Sequence, residues 1–220
     1  MQNPSDNLVP SSEALLPSSC EAIAGGLAER GFAVIEQFLP SQAVAELRAV
    51  LIDSYRRGAF HKAAVGTGSS LRIDAATRGD FVLWLDPDIP HAPLQKFFAT
   101  LEALRSYLNH TCFLSLRSYE AHFAVYPPGT GYKRHLDQTR GSSRRRVTFI
   151  LYLNDDWLPE HGGQLRMYLR EDDGQETAQD ITPFGGTFVV FRSDLIEHEV
   201  LPATRERFSL TGWFLDQILW

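Results

Sequence analysis

Cysteine is nearly missing from this 220-residue sequence: Cys20 and Cys112 are all it has. Two cysteines far apart give no disulfide framework and none of the paired spacings of a zinc site, and they fit a reducing cytoplasm. Positive charge is also short. Lys and Arg number 21 against 27 Asp and Glu, a net charge of −6, which argues against a general nucleic-acid or anionic-membrane partner. No apolar run reaches the length of a membrane span. The first residues lack a basic start followed by an apolar stretch, so they do not read as a secretory signal. Residues 1–19, rich in Ser, Pro and Asn, read as a disordered leader. No internal repeat is visible. Hydrophobic content of 44% is ordinary for a globular chain, and the length suits one domain, residues 20–220, acting as a monomer.

The rest falls into two textures. Residues 20–110 carry helical periodicity. A short helix is expected over Cys20–Arg30, from Ile23 and Leu27 with Gly31 as its stop. A longer one starts at Pro40-Ser41, with Ser41 as N-cap, and runs through Leu47 and Leu51 to Arg57 before Gly58. A third covers Pro93–Asn109. Phe32–Phe38 and Phe81–Leu85 read as strands. Residues 114–216 form short β-rich segments separated by turns: Leu116–Tyr126, Tyr132–Leu136, Arg146–Leu153, Gln164–Leu169, Thr187–Phe191, His198–Leu201 and Phe208–Leu215. That pattern suggests a sandwich or jelly roll, a mainly β fold with supporting helices: a double-stranded β-helix barrel buttressed on one face.

One segment has neither texture. Gly58–Asp80 holds Gly66, Gly68 and scattered charges without a period, and ends in Arg78-Gly79-Asp80. A structureless stretch this long in a compact domain is usually functional or disordered, and it fits a mobile flap or an inert loop equally well.

The chemistry centres on Tyr126–Asp137, Y-P-P-G-T-G-Y-K-R-H-L-D. On an extended chain, residues i and i+2 share a face, so His135 and Asp137 offer an imidazole and a carboxylate to one point. Two ligands hold a metal weakly, and His198 supplies a third. Two His and one carboxylate leave open positions opposite, as in non-haem Fe(II) oxygenases. Arg207, at the head of a later strand, is a planar cationic fork suited to a carboxylate. His61, His91, His110, His122 and His161 lack the H-x-D context and read as surface or structural. Trp157 reads as a packing residue, and Arg144–Arg146 as a solvated charge run.

Four stretches together resemble the 2-oxoglutarate- and Fe(II)-dependent prolyl hydroxylases, and among them the hypoxia-inducible-factor type and its bacterial relatives. They are Tyr126–Asp137, then Val147–Trp157 (V-T-F-I-L-Y-L-N-D-D-W), then Gly162–Arg166 (G-G-Q-L-R), then His198–Arg207 (H-E-V-L-P-A-T-R-E-R). The resemblance implies a double-stranded β-helix with His135, Asp137 and His198 as iron ligands. It implies that Arg207 and Tyr152 bind the distal carboxylate of 2-oxoglutarate, with Tyr126, Leu165, Thr211 and Trp213 lining that pocket. It also matches Arg78-Gly79-Asp80 to the end of a substrate-covering loop, and Arg145 to an arginine near the substrate channel, giving Arg78, Asp80 and Arg145 as substrate contacts. The implied reaction is 4-hydroxylation of a prolyl residue in a protein, with Fe(II), 2-oxoglutarate and O2, ascorbate as reductant, and succinate and CO2 released. Oxygen sensing is an associated role. Elongation factor Tu is the candidate substrate, by likeness to the bacterial relatives. Two other functions fit the same residues: hydroxylation of a free amino acid or other small molecule, and a non-catalytic metal-binding sensor barrel.

Overall fold

The computed structural model describes residues 17–64, 73–74, 76–138, 144–170 and 174–217. Most of the expected leader, and Gly66 and Gly68 of the expected flap, lie outside the described residues. So do residues 139–143 and 171–173, which fall between expected strands.

Three helices form where apolar spacing demanded them, with shifted ends. Helix α1 spans Pro17–Glu29 and buries Cys20, Ile23, Gly26 and Leu27. Residues 17–19 therefore belong to this helix and not to a leader, since proline is well tolerated in a first helical turn. Gly26 is required there: a Cβ would come within 2.6 Å of the Phe32 carbonyl oxygen. Helix α2 spans Ser41–Arg56 and buries Val44, Leu47, Leu51 and Ser54. Pro40, not Ser41, is its N-cap residue, because Pro40 is extended (φ −55°, ψ 144°) and no side chain caps the helix. At the other end Gly58 follows in a left-handed conformation, φ +73°. Helix α3 spans Ala92–Cys112, about a turn beyond the expected Pro93–Asn109. It ends on Phe113, left-handed at φ +53° and 84% exposed, a stop that no glycine signals.

Among the described residues eleven strands make two antiparallel sheets: β1 (Phe32–Ile35), β2 (His61–Lys62), β3 (Phe81–Leu85), β4 (Ser118–Tyr126), β5 (Tyr132–His135), β6 (Arg145–Tyr152), β7 (Leu165–Arg170), β8 (Glu176–Ile181), β9 (Phe188–Arg192), β10 (Glu197–Val200) and β11 (Arg207–Leu215). The larger runs β1-β9-β6-β11-β4-β3-β2 and the smaller β5-β10-β7-β8. Strands β2 and β8 were not expected. β8 is an edge strand with only Ile181 buried, so no apolar alternation marks it.

The larger sheet is buried on both faces. Ala121, Phe123 and Val125 of β4, with Val147, Phe149 and Leu151 of β6, pack with the apolar faces of the three helices. The alternate residues Ala124, Tyr126, Ile150 and Tyr152 pack with Leu165, Met167 and Val200 of the smaller sheet. Two buried faces explain why Val147–Leu153 reads as an apolar run broken only by Thr148. At about 25 cal/mol per Å², each large side chain so buried contributes roughly 1.5–3 kcal/mol. The site lies between the sheets, on strands held rigid by the helical layer behind them.

Candidate active site

His135 sits on β5 directly across from His198 on β10. The shared register turns two residues distant in sequence into neighbours, with ring centroids 4.3 Å apart. β5 ends at His135, so Asp137 is carried by the chain just beyond the strand rather than by strand alternation. Two bonds hold it there. The Gln138 backbone N–H donates to the Ser193 carbonyl at 3.0 Å, and Thr148 Oγ1 donates to Asp137 Oδ2 at 2.8 Å. The Thr148 hydroxyl also meets Ser193 Oγ at 2.8 Å.

The Asp137 carboxylate lies 3.5 Å from His135 Nε2 and 3.7 Å from His198 Nε2. One donor atom from each residue falls within 4.8 Å of the others, so a single cation can meet all three. On both rings the other nitrogen is occupied: His135 Nδ1 bonds the Lys133 carbonyl at 2.8 Å and His198 Nδ1 the Ile196 carbonyl at 3.2 Å. A carbonyl only accepts, so each Nδ1 carries a proton and each Nε2 is the nitrogen turned toward Asp137, the one a metal would take. Tyr132 stacks on His135 at 3.7 Å, and Phe191 meets His198 edge-on at 4.7 Å. Burial, with His135 nearby, pushes the His198 imidazole down to about 4, so it is neutral at ordinary pH. Burial alone would raise the Asp137 carboxyl, but His198, His135 and the Thr148 hydroxyl hold it far below the carboxylate range. Two imidazole nitrogens and an anionic carboxylate are a donor set that fits a divalent cation.

A cavity of roughly 540 Å³, counting its open mouth, extends from this cluster, and its walls include Tyr126, Leu165, Ser209, Thr211 and Trp213. Strand β11 sets their depth through its pairing with β4: Arg207 opposite Tyr126, Ser209 opposite Ala124, Thr211 opposite His122, Trp213 opposite Glu120. From Arg207 to Trp213 is about 20 Å of strand, so Trp213, expected in the 2-oxoglutarate pocket, lines the cavity well away from the Arg207 end.

At the inner end Arg207 is 2% exposed, with its guanidinium over the rings of Tyr126 (5.2 Å) and Tyr152 (4.9 Å). Its Nε donates to the Gly163 carbonyl at 2.8 Å. Its Nη2 and the Tyr152 hydroxyl are buried with no hydrogen-bond partner among the described residues. Burial pushes the Tyr152 phenol up to about 12, so it stays a donor. A buried cation without a carboxylate is costly, and here it stands beside a second orphaned donor. Together they fit one end of a dicarboxylate such as 2-oxoglutarate.

The expected substrate contacts divide. Arg78 lines the cavity, lies over the Tyr132 ring at 4.7 Å, and grips Asp80 with both ends of its fork (2.7 and 2.9 Å). Burial works against the Arg78 charge and Asp80 more than offsets it. Asp80 itself is 1% exposed, so it fastens Arg78 rather than reaching outward. The segment is tied down by Gly79 N–H to the Gly131 carbonyl (3.0 Å) and Lys133 N–H to the Thr77 carbonyl (2.9 Å). Of the arginine run, Arg145 reaches the cavity, paired with Glu120 at 2.8 Å and lying 3.5 Å from the Trp213 ring centroid, while Arg146 pairs with Asp216. The residue that the sequence reading missed is His122. It lines the cavity between Trp84 and Trp213 instead of the surface, and only its place in the alternation of β4 could have signalled this.

Known proteins resemble this chain in sequence and fold. A family model described as the 2OG-Fe(II) oxygenase superfamily matches residues 121–215, the span from His122 through Trp213. The chain is 41% identical to a prolyl-4-hydroxylase from Pseudomonas putida, covering 90% of this chain and 100% of that one, with a TM-score of 0.79. A prolyl hydroxylase from Trichoplax adhaerens, solved with a hypoxia-inducible-factor peptide fragment, gives 26% identity, 90% of both chains and a TM-score of 0.79. Egl nine homolog 1 of Homo sapiens is 30% identical over 212 residues, 91% of this chain and 47% of that protein, so the chain spans about half the length of this curated relative. The chain belongs to the 2OG-Fe(II) oxygenase superfamily, as a relative of the hypoxia-inducible-factor type of prolyl hydroxylase.

Proposed function

We propose that the protein is a prolyl 4-hydroxylase acting on a protein substrate, with elongation factor Tu as the candidate, as a cytoplasmic monomer. The observation that carries this reading is the two-ended cavity: a His135–Asp137–His198 cation site beside a buried Arg207 and Tyr152 with unpartnered donors. The 41% identity to a prolyl-4-hydroxylase supports the prolyl part.

Each residue has a derivable task. His135, Asp137 and His198 would hold Fe(II) through one donor atom each. Bound iron, with 2-oxoglutarate and O2, supplies the oxidising power that inserts one oxygen atom into a C–H bond and leaves succinate and CO2. Arg207 and Tyr152 donate to the distal carboxylate and fix the cosubstrate's orientation. Tyr126, Leu165 and Thr211 shape the walls around it. Thr148 holds Asp137 by donating to the oxygen that also faces His198, which keeps the ligand from rotating. Arg78, fastened by Asp80, and Arg145, fastened by Glu120, place fixed positive charge beside the entering chain. Ascorbate serves as reductant.

The test is incubation of the protein with Fe(II), 2-oxoglutarate, O2 and purified elongation factor Tu, with peptide mass spectrometry for hydroxyproline and a succinate assay. Hydroxyproline in step with succinate is expected. Succinate formation with free proline and none with protein would replace this reading by a small-molecule hydroxylase.

A further inference from the structure

Tyr132 and His135 both line the cavity, yet they stand three residues apart on β5. On a regular strand, residues at odd spacing point to opposite faces. The pairing with β10 resolves this. Tyr132 lies opposite Val200 and His135 opposite His198, so Lys133 and Arg134 together face the single residue Glu199. That two-against-one count is a β-bulge. It turns His135 back to the cavity, and the Lys133 carbonyl inside the bulge bonds His135 Nδ1 at 2.8 Å, which orients the ring. Without the bulge, and with Tyr132 still opposite Val200, alternation would turn Arg134 inward and His135 out to solvent. The strand itself, Y-K-R-H, has no aliphatic residue to dictate which face is buried, and it stands at the edge of the smaller sheet. Backbone pairing alone specifies its register weakly.

What holds the bulge lies on the outer face. Arg134 Nε and Nη2 donate to Glu197 Oε2, the first at 3.0 Å, and Nη1 and Nη2 donate to the two Glu176 oxygens at 2.8 and 2.7 Å. The guanidinium lies 3.8 Å from the centroid of the Tyr168 ring. One side chain thus crosses the smaller sheet, from β5 over β10 and β7 to β8. Glu197 directly precedes His198, as Arg134 directly precedes His135, so the clamp joins the outer sides of two ligand positions. A lone exposed ion pair adds little to stability, because water screens it. This one does more for geometry: the fork is bidentate on Glu176 and stacked on Tyr168, and each charged side chain has about a third of its surface exposed. Turning Arg134 inward would strip its charge of both carboxylates, which disfavours the regular register.

We infer that Arg134 is a positioning residue for the metal centre: by clamping Glu197 and Glu176 over Tyr168, it pins the bulged register of β5 that turns His135 to His198. This rests on the reading of His135, Asp137 and His198 as metal ligands and adds the device that assembles two of the three.

The test uses the full chain, metal-free and then titrated with Mn(II) by calorimetry. The visible absorption of the Co(II)-loaded chain reports ligand geometry. Arg134→Met keeps an apolar stem over Tyr168 and removes the fork. It is expected to weaken Mn(II) binding about tenfold, the lower end for groups that orient ligands, and to shift the Co(II) bands. Arg166→Met is the control. It removes a bidentate pair with Asp180 on β7 and β8, the two strands of the same sheet that carry no ligand. It is expected to leave Mn(II) affinity within about twofold and the Co(II) bands in place. Glu197→Gln, nearly isosteric, removes half of the clamp; a loss of about threefold is expected, and this variant decides on the same terms where Arg134→Met does not fold. Unchanged Mn(II) affinity or unchanged Co(II) bands in Arg134→Met overturns the inference. So does an equal loss in Arg166→Met, which marks a general loosening of the sheet. A wild-type chain that binds no Mn(II) overturns the metal reading beneath it.

Discussion

Thr148 Oγ1 donates to Asp137 Oδ2 at 2.8 Å, so an inner strand of the larger sheet, β6, fixes the carboxylate of a site whose histidines stand on the smaller one. Thr148 lies opposite Trp213 on β11, which ties the carboxylate to the rigid sheet. Partners that orient ligands typically account for 10–100-fold in metal affinity. Thr148→Val, nearly isosteric, is therefore expected to weaken Fe(II) or Mn(II) binding by about that factor. Isothermal titration under anaerobic conditions reads it, and unchanged affinity removes Thr148 from the site's design.

The three ligands make a stronger prediction. A cation that binds only the folded chain stabilises it by about 2.7 kcal/mol at a hundredfold excess over Kd. Wild-type melting temperature is expected to rise on adding Mn(II), and His135→Ala, Asp137→Ala and His198→Ala to lose both that rise and all succinate formation. A variant that keeps full turnover at limiting iron shows that its residue is not a ligand.

How much of this was legible in the sequence follows the range of the forces. His135 and Asp137 are two residues apart, so their closeness was readable as H-x-D, although β5 ends at His135 and a bend, not strand alternation, places Asp137. His198 and Arg207 were readable through their motif. The helices were readable because Leu47, Leu51, Leu101 and Leu104 keep period, whereas the cap at Pro40 and the stop at Phe113 depend on backbone angles that those residue types do not dictate. β8 was invisible because Glu176–Asp180 face solvent and carry no apolar pattern. His122 was misjudged for a different reason. Its neighbours Ala121 and Phe123 point to the helices, and only the pairing of β4 with β11 shows that the alternate face lines a cavity.

Removing the Arg207 fork tests the cosubstrate end. Loss of one partner of a buried charged pair costs roughly 3–5 kcal/mol, or about two to three and a half orders of magnitude in affinity. Arg207→Ala is expected to raise the 2-oxoglutarate requirement by about that much and to leave Mn(II) binding largely intact. Tyr152→Phe, which removes a neutral donor, is expected to cost about tenfold or less. Normal 2-oxoglutarate binding by Arg207→Ala moves the anchor elsewhere.

Acid should loosen the metal-free protein. The His198 imidazole is held at about 4 by burial, below its ordinary 6.5, so the native state binds fewer protons than the unfolded chain between those values. Stability is then fully present above the unfolded pKa and is lost as pH falls through the folded one. The apo melting temperature is expected to drop steadily from about pH 6.5 toward pH 4, and Mn(II) to delay the drop because a cation competes with the proton for the ring. His198→Asn is expected to flatten the slope. A pH-independent melting temperature over that window contradicts a buried neutral His198.

The Arg78–Asp80 pair sits where the aperiodic segment rejoins the sheet. Asp80 is buried and both ends of the Arg78 fork reach it, so either residue alone is left as an uncompensated charge when its partner is removed. Arg78→Ala and Asp80→Ala are each expected to destabilise the protein by up to about 3–5 kcal/mol, and the double variant by clearly less than their sum. Because Arg78 lines the cavity over Tyr132 while Arg207 anchors the cosubstrate at the other end, conditions that keep the variants folded should separate two readouts. Hydroxylation of the protein substrate is expected to fall much more than 2-oxoglutarate affinity. Amide exchange at residues 58–64 and 76–80 is expected to slow when the protein substrate binds, since a segment that closes on a partner gains order there. Exchange that does not change, together with full activity on free proline, would show that this segment contacts no protein substrate and that Arg78 and Asp80 form a strut of the barrel.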